Sequence, residues 1–399
     1  MKLILPRVIY GNRGDLASRW GLLRTLHQMG IEDVTVFCHQ PEDVPSLPYP
    51  TLAYRPLRNL YLDRPAWRAF RHAETVLWAV GLDMQDDSSL VRLLYLWTVF
   101  RMYRLLGLRI ICLFQGAGPI NTAMGRLLAR LALAEVDTFV ARDPGTFALI
   151  KRLRPPTNAI LAHDAIFLPG FEQDTRALSP TEENLLAYLV APTKRPLIGI
   201  NLRQWFHFTS SILPYQFAQE TYRRRSEKRM EALIDSMAAV IASLHAEREM
   251  QIVLISAYQP GVVPWEDDLP WLARLKAHFA NDENVLLIDS PLSLPAYYTL
   301  MSRLDLMIGM RLHSALIALR FGVPAINLSY TLKGKDIMTA LGLGQNVMDL
   351  DGFLENPQTV SKRALDILSN LPAERHHTLQ SIEQAIQTNL ALMQKLFGR

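Results

Sequence analysis

The chain has 399 residues, 49% hydrophobic and 20% charged, with a net charge of +4. This composition excludes disordered, collagen-like and coiled-coil chains, and the length leaves room for two domains. No block of lysine and arginine is dense enough to mark a nucleic-acid binder.

Residues 2–10 read as a first strand, their apolar part being too short for a secretory signal. A helical pattern covers 16–29 and a strand 34–38; a helix at 65–72 then leads into a strand at 75–80. The stretch 90–108 is the most hydrophobic of the chain, but Arg92, Arg101 and Arg104 interrupt it. Its uncharged part, 93–100, falls far short of the roughly 20 residues a membrane span needs. Two readings stand there. One is a helix packed onto a sheet, the commoner fate of such a stretch. The other is a helix lying on a membrane surface, with Tyr95, Trp97, Phe100 and Tyr103 set among arginines.

The alternation continues with a strand at 109–114, a helix at 121–133, a strand at 138–142, a helix at 144–153 and a strand at 159–162. Such βα rhythm predicts a parallel sheet covered by helices on both faces. Cys38 and Cys112 lie inside the apolar runs VTVFC and RIICLF, without metal or redox spacing. They read as buried thiols of a protein kept in a reducing, cytoplasmic compartment.

The rhythm breaks over 167–195, a polar and proline-bearing stretch suited to an interdomain connection. A second alternation follows, with strands at 197–203, 251–258, 285–289, 304–310 and 325–329. Helical patterns fall at 221–247, 269–280, 294–302, 314–321, 336–341 and 360–371, and a last one at 373–396 is long enough to pack back on the first half. The expected fold is α/β, two Rossmann-like doubly wound domains facing a cleft. Its divisions are 1–172, a linker at 173–195, 196–372 and a C-terminal helix at 373–399. Folds of this kind bind ligands at the carboxyl ends of their strands.

Several polar motifs fall at such strand ends. Arg311, Leu312, His313 and Ser314 follow the apolar run 304–310 and open a helix. A helix amino end carries free N–H groups and a positive dipole, so it suits an anion; Ser314 is the expected cap. The alternative is a hydrogen-bonded structural His313 and an ion-paired Arg311. Tyr330, Lys333 and Lys335 leave the next strand, where the two lysines could equally be solvated. Asn12, Gly14 and Asp15 close the first strand and open the first helix, with Asp15 a possible cap; Gly116 and Gly118 form a glycine-rich turn after another strand. Arg142 ends the strand 138–142, with Asp143 or Thr146 capping the helix behind it. His163, Asp164 and Arg203 also stand at strand ends and read as structural.

Together these segments resemble the polysaccharide pyruvyl transferase family along nearly the whole chain. The resemblance rests on GNRGD, QGAGP, ARDPGT, GINLR and HDAIF, the last with Ala165 where proline is common. Its most specific element is GMRLHSALIALRFGVPAINLSYTLK, an R-x-H followed by G-x-P and Y-x-x-K. The resemblance implies a glycosyltransferase B-like fold and transfer of pyruvate from phosphoenolpyruvate onto two hydroxyls of a sugar as a ketal, without a cofactor. The acceptor it implies is a cell-surface polysaccharide or its lipid-linked precursor, the latter inviting peripheral contact with the inner face of a membrane. By the same resemblance Arg142, His313 and Lys333 hold the donor, His313 is the general acid and Leu312 adds backbone contacts. Arg311 would be a further donor contact, and Asn12, Gly14, Asp15, Gly116, Gly118 and Tyr330 substrate contacts.

Phosphoenolpyruvate carries a carboxylate and a phosphate, which arginine forks and a lysine point charge suit without a metal. A proton donor working near neutral pH favours histidine. Segments 205–222 and 259–268 are the expected acceptor loops. Two other readings remain open: a nucleotide-sugar-dependent glycosyltransferase of the same architecture, and a non-catalytic relative of such an enzyme.

Overall fold

The computed structural model describes residues 1–8, 12–38, 47–55, 58–59, 63–87, 89–154, 157–172, 178–189, 195–205, 219–258 and 267–398. Two parallel sheets organise them. The first contains β1 (Leu3–Val8), β2 (Val34–Cys38), β3 (Thr51–Ala53), β4 (Thr75–Met84), β5 (Arg109–Ala117), β6 (Thr138–Ala141) and β7 (Asn158–Leu161), in the order β3-β2-β1-β4-β5-β6-β7. The second contains β8 (Leu197–Asn201), β9 (Gln251–Leu254), β10 (Val285–Leu287), β11 (Leu306–Gly309), β12 (Ala325–Ser329) and β13 (Val347–Asp349), in the order β10-β9-β8-β11-β12-β13. Each order reverses beside its first strand, β1 in one sheet and β8 in the other, so each sheet has the switch point at which doubly wound folds bind ligands. The inner strands β8, β11 and β12 are buried throughout, as parallel strands covered on both faces must be.

In the first domain, α1 (Arg13–Gln28) packs on one face through Leu22, Leu23 and Leu26. The other face carries α2 (Arg64–His72), α3 (Leu90–Leu105), α4 (Ala123–Ala134) and α5 (Pro144–Leu153) over Trp78, Phe100, Ile110 and Leu133. Helix α3 buries Leu93, Leu96, Val99, Phe100 and Tyr103, so its inner side belongs to the core. Cys38 and Cys112 are buried free thiols.

The polar stretch between the sheets is more than a connection. It contains α6 (Pro180–Leu189), which buries Leu186 and Leu189 in a cluster shared by both domains. The second domain adds α7 (Gln219–Glu247), α8 (Leu269–Ala277), α9 (Leu294–Arg303), α10 (Leu312–Arg320), α11 (Leu332–Ala340), α12 (Leu350–Glu355), α13 (Gln358–Ser369) and α14 (Leu371–Phe397). The shared cluster joins Ala17 and Trp20 of α1 and Phe167 and Phe171 of the first domain to Leu316, Leu319 and Ile382 of the second. Helix α14 reaches back as its length suggested, placing Leu392, Met393 and Phe397 in the first domain's core.

Val80 and Phe114, side by side in β4 and β5, have φ of 53° and 52°. A β-branched or bulky side chain in that left-handed region costs about 1–3 kcal/mol and persists only where its surroundings over-determine it. Here the fully buried Arg19 of α1 donates to the Val80 carbonyl at 2.8 Å, and Gln115 Nε2 donates to the Trp78 carbonyl at 3.1 Å. These bonds hold the two strands where they bend.

Most of the two expected acceptor segments, 206–218 and 259–266, lies outside the described residues.

Candidate active site

The site is assembled where α1 and α10 meet between the domains. Asn12 caps α1, its Oδ1 accepting from the Gly14 amide at 3.0 Å and the Asp15 amide at 3.4 Å. Asn12, not Asp15, is therefore the cap; Asp15 is half-buried in the first turn. The residues around it are tied to the second domain. Asn12 bridges to Tyr258, the Arg13 amide donates to the Ala257 carbonyl at 3.2 Å, and the Arg13 guanidinium donates to the Leu292 carbonyl.

Gly14 sits against His313. A Cβ at Gly14 would lie 2.1 Å from His313 Cβ and 2.5 Å from its Nδ1. Glycine is required here for close approach across the domain boundary rather than for a phosphate-binding turn.

His313 itself is the second residue of α10, at the helix amino end. Ser314 does not cap that helix as expected. The cap position is Arg311, without a side-chain cap bond, and Ser314 Oγ instead accepts from the Tyr297 hydroxyl at 3.2 Å. Ser314 faces the core, so its hydroxyl serves packing and not the helix end.

The centre of the site is Asp164, fully buried at the end of the first sheet. Its Oδ1 accepts from the Ile166 amide at 3.1 Å, and its Oδ2 from Arg142 Nη1 at 2.9 Å. His313 Nε2 stands 3.6 Å from the same Oδ2. Burial pushes the Asp164 carboxyl up, but Arg142 and then His313 and the Ile166 amide outweigh it and hold it well below the usual carboxylate range. Asp164, read from the sequence as structural, is thus the carboxylate that joins two expected donor-site residues. The signal was present: a lone aspartate inside the apolar LAHDAIF run is almost never buried without a cationic partner.

Arg142 does not pair with its neighbour Asp143. Asp143 caps α5, accepting from the Thr146 amide at 2.6 Å and from the Thr146 hydroxyl at 2.8 Å. Arg142 lies over Gly116, where a Cβ would come within 3.2 Å of its Nε and Nη2. Gly118 contributes its carbonyl, which accepts from Lys333 Nζ across the cleft. Burial, then the charge of Arg142, pushes the Lys333 ammonium down to about 7 against the pull of Asp143 and Asp87.

Arg142, His313 and Lys333 are therefore brought together, with Gly14, Gly116 and Gly118 shaping the space around them. Leu312, half-buried, is the first residue of α10 beside His313. Arg311 and Tyr330 are engaged elsewhere. The buried Arg311 guanidinium binds Asp268 through Nε at 3.1 Å and Nη2 at 2.7 Å, and lies over the Tyr258 ring. Its amide donates to Asn201 Oδ1 at 3.1 Å, which fixes the turn into α10. Tyr330 accepts from Arg203 and lies under its guanidinium, 5.0 Å from the ring centroid.

Among the described residues, Arg142 Nε has no hydrogen-bond partner, and His313 Nε2 has only the Asp164 carboxylate 3.6 Å away. Buried polar groups of native proteins are nearly always paired, so an unpaired guanidinium nitrogen beside the cleft is free to meet an acceptor there. Among the described residues no three His, Cys, Asp or Glu side chains come together as metal ligands would. The chemistry on offer is anion binding by Arg142, Lys333 and the α10 amino end, with the His313 imidazole beside them.

The family profile described as polysaccharide pyruvyl transferase matches residues 12–331. A curated relative, amylovoran biosynthesis protein AmsJ of Erwinia amylovora, is 21% identical over 271 residues, 68% of this chain. The matched stretch spans 60% of that relative's length. Among solved structures, the S. aureus MnaA–UDP complex aligns over 100% of this chain and 98% of its own, with TM-score 0.60 and 9% identity. The trehalose-6-phosphate synthase OtsA aligns over 98% and 97%, with TM-score 0.57 and 12% identity. At such identities these two speak for the two-domain glycosyltransferase B-like architecture alone.

Proposed function

The chain belongs to the polysaccharide pyruvyl transferase family, and on that premise we propose that it transfers pyruvate from phosphoenolpyruvate to a hydroxyl pair of a glycan as a ketal. The observation that carries this reading is the convergence of Arg142 and His313 on the buried Asp164 opposite Lys333, with Arg142 Nε left without a hydrogen-bond partner among the described residues. Phosphoenolpyruvate brings two anionic groups, and the cleft offers a guanidinium fork, an ammonium and a helix amino end to receive them.

The reaction then needs one proton placed on carbon. His313, protonated, gives its Nε2 proton to the methylene carbon of the donor, and the adjacent carbon becomes oxocarbenium-like. A sugar hydroxyl oxygen bonds to that carbon and its proton returns to the imidazole. The carbon–oxygen bond to phosphate breaks, and the second hydroxyl closes the ketal while its proton leaves with phosphate. Asp164 stays ionised beside the imidazole throughout, its carboxyl held low by Arg142. A dry cleft strengthens each of these interactions.

The acceptor in this reading is a polysaccharide or its lipid-linked precursor, and the setting exopolysaccharide biosynthesis, as the name of the AmsJ relative suggests. The test is incubation with phosphoenolpyruvate and a panel of acceptor glycans, with phosphate release and product mass followed together. Phosphate release coupled to a pyruvate-sized mass gain supports the reading. Turnover of nucleotide sugars, with phosphoenolpyruvate ignored, would replace it with the glycosyltransferase alternative.

A further inference from the structure

Helices α3 and α4 lie side by side on the first domain, and their outer surface has an unusual make-up. Every exposed residue of the two helices is either apolar or arginine. The apolar ones include Val91 at 41%, Leu94 at 45%, Met124 at 53% and Leu127 at 50% exposure. The exposed charges are Arg92, Arg101, Arg126 and Arg130. An ordinary solvated helix face carries glutamate, glutamine, serine and lysine, and this one has none of them.

The acids near it point inward or are half-covered. Asp83 is buried and pairs with Arg92, while Glu135 and Asp137 pair with Arg101 and Arg104 at the helix ends. Among the described residues Arg126 and Arg130 make no ion pair; each donates to a backbone carbonyl, of Asn121 and Leu153. The face is therefore apolar and cationic at once. Its neighbour α5 adds the exposed Lys151, Arg152 and Arg154 at its far end.

The face also borders the cleft. Val91, Leu94, Met124 and Leu127 lie in the first turns of their helices, beyond the carboxyl ends of β4 and β5. Leu332, 78% exposed, opens α11 next to Lys333, which reaches the Gly118 carbonyl just ahead of α4. Arg92 is close enough to act on the charge of Lys333.

We propose that the α3–α4 face docks on an anionic lipid bilayer, seating its apolar side chains at the headgroup boundary and its arginines against lipid phosphates. Apolar residues interleaved with cations are what an interfacial surface requires, since burial and electrostatic attraction add there. No described helix is long and apolar enough to cross a membrane, so contact through this face is superficial. The docked orientation turns the cleft mouth to the membrane plane. If the proposed function holds, this is where a lipid-linked acceptor would present its sugar.

Vesicle binding tests the surface without reference to catalysis. The full chain is sedimented with phosphatidylglycerol-containing vesicles and with purely phosphatidylcholine vesicles. Binding to the anionic vesicles that weakens with salt is expected. Arg126→Glu combined with Arg130→Glu should lower partitioning at least tenfold, each arginine near the surface being worth roughly fivefold. Leu94→Glu combined with Leu127→Glu should abolish it. Turnover on a water-soluble acceptor should stay unchanged in both, which separates failure of docking from failure of the proposed chemistry. Equal sedimentation of the parent with anionic and neutral vesicles, or none with either, overturns the proposal. So does a dimer in analytical ultracentrifugation that the Leu94→Glu, Leu127→Glu chain loses, because a second copy would then cover the face.

Discussion

Gly14→Ala is the most direct probe of how the two domains make one site. The added methyl would sit 2.1 Å from His313 Cβ and 2.3 Å from Cγ, far inside the van der Waals limit. Relief needs a displacement of about 1 Å or more between α1 and α10. Because these helices belong to different domains, the displacement opens the cleft or swings the imidazole off Asp164. Overpacking of this kind costs about 1–3 kcal/mol, and a misplacement of about 1 Å at a reacting group costs about 10²-fold in rate. We expect pyruvyl transfer by Gly14→Ala to fall by that order while the melting temperature drops only a few degrees. Gly352→Ala is the control. A methyl there meets nothing within 4 Å, and alanine in the helix should raise stability by up to about 1 kcal/mol. Transfer by Gly14→Ala within twofold of the parent, under saturating substrates, would refute the argument that His313 must rest on Gly14.

Four further outcomes follow from the same geometry. His313→Ala should lose roughly 10²-fold or more of turnover, as expected for a positioned proton donor, in a continuous phosphate-release assay. Asp164→Asn should cost about 3–5 kcal/mol in denaturant melts, because it leaves the buried Arg142 charge uncompensated. The stability Asp164 supplies is present above the unfolded carboxylate value of about 3.9 and is lost as pH falls toward its lower folded value. Acid titration of Asp164→Asn should therefore show a shallower loss than the parent. Lys333, at about 7 in the folded chain, binds fewer protons than the unfolded lysine up to its ordinary value of about 10.4, so stability should rise with pH across that window. Lys333→Met should flatten that slope in melting curves, and an unchanged slope would show the ammonium to be solvated.

Local patterning along the chain sets the architecture and most of the strand-end inventory. Period-two and period-3.6 patterning is local, so the alternation of buried strands with helices, and hence two parallel sheets, can be read residue by residue. Glycine and cation positions at strand ends are equally local, but taking Arg142, His313 and Lys333 as one set rested on the family resemblance, since position alone left Lys333 as readily solvated. Short elements were not legible. The helix Pro180–Leu189 lay hidden in a polar stretch, and the edge strands Thr51–Ala53 and Val347–Asp349 are too short to show a period.

Which of these groups meet depends on how the two domains fold against each other. Asp164 becomes the hub because the end of the first sheet and the start of α10 converge on it, a contact across the domain boundary that no spacing encodes. Its backbone is fixed from farther still. Asn389 of α14 accepts from the His163 amide at 3.0 Å and donates to the Asp164 carbonyl at 3.0 Å. The same holds for Arg311, whose charge Asp268 takes up although the two are far apart in the chain. Whether a cation is spent on an internal carboxylate or left facing a cleft depends on which side chains folding brings within a few ångströms, and Coulomb energies are decided at that distance.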